Sequence, residues 1–82
     1  MNLAPAMTVP RSHERDTIKQ IGGLWYSFGP RVDRGGSIEV PQPDERHEFY
    51  GVYLWVEPGQ WFWVADFFSL ADVLLFLEAR SG

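Results

Sequence analysis

The most hydrophobic part of the chain is residues 49–68, where two apolar runs predict two β-strands. The runs cover residues 49–56 and 61–68, hold nine of the thirteen aromatic side chains, and flank Glu57-Pro58-Gly59-Gln60, which is typical of a turn. A strand buried on one face alternates apolar and polar residues, whereas these runs are apolar on both faces. We therefore expect one face in the core and the other either covered by a second element or serving as a contact surface.

The length of the turn decides which aromatic residues share a face of this hairpin. If the loop comprises residues 57–60, Val56 lies opposite Trp61 and Leu54 lies opposite Trp63. This register predicts two groups of side chains, one per face: Leu54, Val56, Trp61 and Trp63 on one face, and Tyr53, Trp55, Phe62 and Val64 on the other. A shift of one residue would exchange the aromatic residues that face outward.

The spacing of apolar residues predicts a C-terminal helix from residue 70 to about residue 80. Ser69-Leu70-Ala71-Asp72 resembles a capping box in which Asp replaces the usual Glu. The helix would bury a stripe of residues with i, i+3, i+4, i+7 spacing: Leu70, Val73, Leu74 and Leu77. Leu75 and Phe76 lie outside the stripe and widen the apolar surface.

Residues 12–28 allow two interpretations, and residues 1–11, which show no periodicity, are expected to form a flexible tail. In the first interpretation Ser12 caps a short helix that has acidic residues early and ends at Gly22-Gly23. In the second, residues 17–21 and 24–28 form a hairpin with a two-residue loop. The early acids and the polar Lys19-Gln20 favour the helix. Residues 24–28 are a strand in both.

The middle of the chain predicts a turn, a short strand and a polar loop. Gly29-Pro30 is expected to end or bulge the preceding strand, and residues 33–36 form a turn because glycine accepts positive φ. Residues 37–40 return as a short strand, and the two prolines of residues 41–46 indicate a loop. The predicted fold class is α+β: one domain over residues 12–82, in which three or four antiparallel strands pack against a C-terminal helix, with a short N-terminal helix in the favoured interpretation.

Composition and charge narrow the functional classes. The chain has 82 residues and no cysteine, which excludes disulfides and thiolate zinc sites. It has no apolar run long enough to cross a membrane and no signal-peptide pattern, so a cytoplasmic protein is expected. Residues 39–78 hold eight acidic side chains against Arg46 alone, a charge of −7, whereas residues 11–34 carry +2. Such an acidic surface attracts basic proteins and repels phosphate backbones, although it also serves solubility.

Motifs for catalysis, metals and nucleotides are weak or missing. The serines have no Gly-x-Ser-x-Gly context, and the two glycine pairs match no phosphate-binding loop. Residues 44–48 gather four potential metal ligands, but neighbouring residues of a strand point to opposite faces, so a solvated loop is the better interpretation. Residues 49–54 resemble the aromatic strand of RNA-recognition sheets but lack its basic residue. We expect no enzyme, no metal, no cofactor and no direct binding of nucleic acid or membrane.

The format of the chain resembles that of the small phage-encoded proteins that disable bacterial defences, of which anti-CRISPR proteins are the best known. The resemblance rests on the length of 82 residues, the acidic segment 39–78 and the aromatic sheet. It implies a non-enzymatic, acidic inhibitor that occupies the basic surface of a protein partner, such as a complex that handles nucleic acid. Carboxylates would steer the encounter and buried rings would slow release.

This hypothesis names two groups of partner-binding residues. The aromatic anchor is expected from Tyr53, Trp55, Trp61 and Trp63, and the charge from Glu39, Asp44, Glu45, Glu48 and Glu57. Two alternatives remain open: a homodimer or larger homo-oligomer whose aromatic sheet faces cover one another, and a small ligand-binding protein.

Overall fold

A computed structural model describes residues 10–11, 13–56 and 59–81, and these residues form five strands and one helix. The elements are β1 Thr17–Ile21, β2 Leu24–Asp33, β3 Ile38–Glu39, β4 Phe49–Val56, β5 Gln60–Phe67 and α1 Leu70–Ser81. The strands pair antiparallel in the order β1-β2-β4-β5, and β3 pairs with the far end of β2. The predicted α+β class, with a small antiparallel sheet and a C-terminal helix, is confirmed.

The favoured N-terminal helix is wrong, because residues 17–28 form a hairpin. β1 pairs with β2 from Thr17 opposite Phe28 to Ile21 opposite Leu24. The two residues between the strands, Gly22 and Gly23, have φ angles of 60° and 83°. Two successive positive φ angles are what a tight antiparallel hairpin requires and what glycine supplies most easily. The preference of the two glycines for a tight turn therefore outweighs the helix preference of the early acidic residues.

The second strand also continues where the sequence predicted an end or a bulge. β2 passes through Gly29 and Pro30 and pairs with β4 as far as Arg31 opposite Phe49. Proline has no backbone N–H, so it is tolerated at a strand position where that N–H would have no hydrogen-bond partner. Because β1 pairs with β2 only up to Phe28, the side of β2 away from β4 is a local edge at Pro30.

The helix covers one face of the sheet, which we call the helix side. Val73 and Leu77 of α1 are fully buried against Tyr26, Phe28 and Val52 of the central strands. The predicted cap is present, because Ser69 Oγ accepts a hydrogen bond from the backbone N–H of Asp72 at 3.1 Å. The predicted stripe is only partly right: Leu70 and Leu74 remain about half exposed, and Phe76 packs on Phe67 instead.

The register of the aromatic hairpin differs by one residue from the predicted one. Val56 lies opposite Gln60 and Trp55 opposite Trp61, because three residues rather than four connect β4 and β5. The N–H of Gly59 donates to the carbonyl of Val56 at 3.0 Å. A β-bulge then shifts the pairing between Val52 and Tyr53, and its extra residue, Val64, packs against the core. The predicted division of the aromatic residues between the two faces is therefore wrong.

Within the described residues, no helix is long and apolar enough to cross a membrane. Most of the predicted tail, residues 1–9, lies outside the described residues. Of the remainder, Pro10 is buried and the carbonyl of Arg11 accepts a hydrogen bond from the indole of Trp61 at 2.7 Å.

Candidate functional site

All four tryptophans of the chain lie on the face of the sheet opposite the helix, which we call the tryptophan face. The strand pairs place Tyr53 opposite Ser27 and Trp63, and Trp55 opposite Trp61. The residues at every second position along β2 and β4 share this face: Trp25, Gly29, Arg31, Phe49 and Gly51. The four aromatic residues predicted as an anchor, Tyr53, Trp55, Trp61 and Trp63, are thus brought together, and on a different face from Leu54 and Val56.

At the centre of the tryptophan face two glycines leave a gap, because they carry no side chains of their own. Gly29 of β2 lies opposite Gly51 of β4. A Cβ atom on Gly29 would lie 1.9 Å from Oδ1 of Asp16, and one on Gly51 would lie 2.9 Å from the hydroxyl of Tyr53. The two glycines therefore allow a carboxylate and an aromatic ring to lie directly against the sheet backbone.

An ion pair fills this gap. Arg31 Nη1 donates to Asp16 Oδ1 at 2.9 Å and Nη2 donates to Asp16 Oδ2 at 2.8 Å, and Ser27 Oγ donates to Oδ2 at 3.2 Å. The side chains of Arg31 and Asp16 are only 9% and 1% exposed. Burial lowers the pKa of Arg31, but the hydrogen bonds and charge of Asp16, with a contribution from Tyr53, outweigh it and hold that pKa above its usual value.

The ion pair holds the described residues 10–11 and 13–16, which we call the covering segment, against the tryptophan face. Arg31 Nε donates to the hydroxyl of Tyr53 at 3.2 Å, and the Trp61 indole donates to the Arg11 carbonyl. A cavity of about 250 Å³ remains beneath the segment, lined by His13, Asp16, Arg31, Tyr53 and Trp61. Apart from His13, the side chains that line this cavity take part in these bonds, so the arrangement holds the segment against the sheet.

The covering segment reaches Trp61 but leaves Trp63, two residues further along β5, uncovered. Trp63 is 62% exposed, and its indole donates to Asp66 Oδ1 at 2.8 Å, which fixes the ring on the surface. Trp55 and Trp61 are half-buried and meet edge to face with ring centroids 5.1 Å apart. On the helix side of the same hairpin, Phe62 is 49% exposed. Large apolar side chains are therefore accessible on both faces of one hairpin.

The predicted acidic residues lie at the opposite end of the sheet from these rings. Glu39 and Glu45 both pair with Arg34, and Glu48 accepts from the backbone N–H of Asp33 at 2.8 Å. Asp44 is exposed in the loop, and Glu57 lies outside the described residues. Glu48 directly precedes β4, and Tyr53, which lies opposite Trp63, is five residues further along, roughly 17 Å at strand spacing. The structure does not bring the acids and the rings into one patch.

Arg34 also changes the acidity of its partner. The side-chain hydrogen bond from Arg34 lowers the pKa of Glu45, and the backbone N–H of Gln42 lowers it further. These carboxylates are consequently part of an internal network that shapes the loop between β3 and β4. Asp44 is the one predicted acid in this loop for which no internal contact is seen among the described residues.

The Asp16–Arg31 pair is the feature that sequence reasoning missed. In the favoured helix interpretation Asp16 is an early acid, and Arg31 enters only the charge count. One signal was available: Arg31 stands between Pro30 and Val32 in an otherwise apolar stretch, and a buried arginine requires a carboxylate partner.

No cluster of three or more histidine, aspartate or glutamate residues that could hold a metal ion occurs in the described part of the chain. Comparison with known proteins adds no relative: no family model, no curated protein and no solved structure matches this chain.

Proposed function

We propose that this chain is a non-enzymatic protein-binding module whose contact surface is the exposed part of β5 around Phe62 and Trp63. The observation that carries the proposal is the exposure of Trp63 and Phe62, two large rings on opposite faces of one hairpin. Aromatic residues are enriched in protein interfaces and among the residues that dominate binding energy. Trp63 is also held in place by its bond to Asp66, so little side-chain entropy would be lost on binding.

The charge of the protein favours a basic partner. Its net charge is −4, and the loop region that contains Glu39, Asp44, Glu45 and Glu48 is predominantly acidic. Because these acids lie far from the rings, their role in the proposal is long-range attraction, which raises the rate of encounter, and the rings supply the close contact. A complex with a basic, nucleic-acid-binding surface fits this description, and the protein would act on it as an acidic inhibitor, as anti-CRISPR-like proteins do.

The ligand-binding alternative has less support. The cavity on the tryptophan face is small, and its ionic groups, Asp16 and Arg31, bind each other at hydrogen-bond distance. A ligand that used these groups would have to break a buried ion pair before it could bind.

A pull-down of host proteins on the immobilised chain tests the proposal, performed after nuclease treatment at low and high salt. We expect a stoichiometric partner whose capture weakens as salt rises. Trp63→Ala should reduce its affinity by about 2 kcal/mol, roughly thirtyfold, without unfolding the protein. Leu75→Ala is the matched control, since Leu75 is 63% exposed but lies on α1.

Two results would contradict the proposal. One is the absence of any captured protein on chains shown to be folded. The other is equal loss of binding in the Trp63 and Leu75 variants, which would move the contact surface away from the hairpin.

A further inference from the structure

The last strand of the sheet has an unprotected outer edge. In the described part of the chain β5 pairs only with β4, so one row of its backbone N–H and C=O groups lacks a strand partner. Natural sheets blunt such edges with short strands, lysine, proline or bulges. β5 is eight residues long, QWFWVADF, and has neither lysine nor proline; its protective features are the bulge at Val64 and the charge of Asp66 beyond it.

The opposite edge of the sheet shows the contrast. β1 is five residues long and presents exposed Thr17, Lys19 and Gln20. Polar and positively charged side chains of this kind discourage another strand from pairing with β1. The two edges of one small sheet are therefore built differently, and the apolar one is the longer.

We propose that a second copy of this chain pairs antiparallel with β5, about a two-fold axis that passes beside Phe62 normal to the sheet. This inference does not depend on the proposed protein-binding function. In this register Phe62 lies opposite Phe62 of the second copy and Trp61 lies opposite Trp63 of the second copy. Aromatic cross-strand pairs of this kind stabilise antiparallel sheets. The pairing uses the three residues Trp61–Trp63, which are symmetric about the axis and precede the bulge.

The charges of β5 are compatible with a copy of itself. Asp66 is the one ionisable residue of the strand, and its carboxylate accepts from the Trp63 indole. An axis at Phe62 places the two Asp66 side chains eight strand positions apart, roughly 27 Å, where they do not repel. The axis also keeps the tryptophan faces on the same side, so the dimer would join two Trp61–Trp63 rows into one surface.

Edge pairing differs from the face-to-face oligomer suggested by the sequence. The covering segment lies over the centre of the tryptophan face, held by the bonds of Asp16 and Arg11, and two such faces would meet through it. The outer edge of β5 has no such cover among the described residues.

Light scattering and sedimentation of the full chain over a range of concentrations test this inference. We expect a monomer–dimer equilibrium that is strengthened by salt, since each copy carries −4. Phe62→Lys should raise the dimer dissociation constant about tenfold or more, since it sets two like charges opposite each other. Leu75→Lys, a change of similar exposure on the helix, should leave it unchanged.

A charge-swap experiment tests the register directly. Phe62→Lys and Phe62→Glu should each be mainly monomeric, and an equimolar mixture should form a heterodimer, because the axis places opposite charges face to face. If the Phe62 variants fail to fold, judged by circular dichroism, Trp63→Lys and Trp63→Glu replace them, because the axis makes the two position-63 side chains diagonal cross-strand neighbours, roughly 7–8 Å apart.

Three results would overturn the inference: a folded wild-type chain that stays monomeric throughout, a dimer dissociated by Leu75→Lys rather than by the hairpin variants, or no heterodimer in the mixture. Capture of a host protein by a monomer would leave the protein-binding function standing. Binding to the partner should weaken with salt and self-association should strengthen, so the two proposals fail separately.

Discussion

Replacing Asp16 with alanine removes the carboxylate that neutralises the buried guanidinium of Arg31. The change deletes hydrogen bonds of 2.9 and 2.8 Å from Arg31 and one of 3.2 Å from Ser27. Because the Arg31 side chain is only 9% exposed, water cannot replace these partners without opening the structure. The Pro30 carbonyl and the Tyr53 hydroxyl remain as acceptors for Arg31, at 2.8 and 3.2 Å.

The expected loss is large relative to the total stability. Removing one partner of a buried ion pair costs about 3–5 kcal/mol, and the two remaining acceptors place Asp16→Ala near the lower end, at about 3 kcal/mol. A chain of this length is expected to have an unfolding free energy of roughly 4–12 kcal/mol. The variant should therefore unfold at a much lower urea concentration than the wild type.

Urea unfolding monitored by tryptophan fluorescence measures this, and a double-mutant cycle assigns the cause. Arg31→Met in the Asp16→Ala background removes the unpaired charge and should restore much of the lost stability. Glu45→Ala is the control, because its partner Arg34 is exposed and a solvated pair contributes little. The reasoning is refuted if Asp16→Ala and Glu45→Ala are equally stable, or if the second substitution adds to the loss instead of reversing it.

Two further predictions concern the same regions. Gly29→Ala should destabilise the fold about as much as Asp16→Ala, because its Cβ would lie 1.9 Å from Asp16 Oδ1 and 3.1 Å from Asp16 Cα. Gly22→Ala, in open space at a φ of 60°, should cost only about 1–2 kcal/mol in urea unfolding. Equal losses in the two variants would contradict the proposed close contact. The pKa of Glu45 is lowered from 4.5 by Arg34, so the ionised carboxylate stabilises the fold above that pH and the contribution is lost as the pH falls through the folded pKa. Glu45→Gln should consequently flatten the acid limb of a plot of unfolding midpoint against pH by a small amount, since both partners are solvated, and an unchanged limb would show that Arg34 does not hold this carboxylate.

The elements of the fold were predictable where one local signal dominated. Ser69 and the apolar spacing after it identified α1, and the dense runs on either side of residues 57–60 identified β4 and β5. The hairpin of residues 17–28 was less clear, because Glu14 and Asp16 suit the start of a helix as well as they suit a salt bridge. What separates the two is the pair of positive φ angles at Gly22 and Gly23, and a glycine pair in sequence is compatible with either.

The candidate site was less predictable than the fold, because its arrangement depends on contacts distant in sequence. The aromatic residues were identified, but the loop is one residue shorter than expected, so Trp61 and Trp63 lie opposite Trp55 and Tyr53 instead of Val56 and Leu54. The carboxylates Glu39 and Glu45 were expected to face a partner, yet both pair with Arg34, and this contact could not be inferred from charge counts. Asp16 reaches Arg31 across fifteen residues only because Gly29 leaves room for it.

The exposed hairpin follows from how the two faces of the sheet are covered. One helix of twelve residues covers the helix side, with Val73 and Leu77 as its buried centre, and it leaves Phe62 half exposed. The covering segment reaches the tryptophan face through Asp16 and Arg11, and its contacts extend across β5 as far as Trp61. Trp63 and the outer edge of β5 lie beyond both covers in the described residues. A polar residue in place of Trp63 and a lysine or proline on β5 would have discouraged association. Because β5 has neither, the exposed ring and strand edge are the strongest reason to assign them a partner.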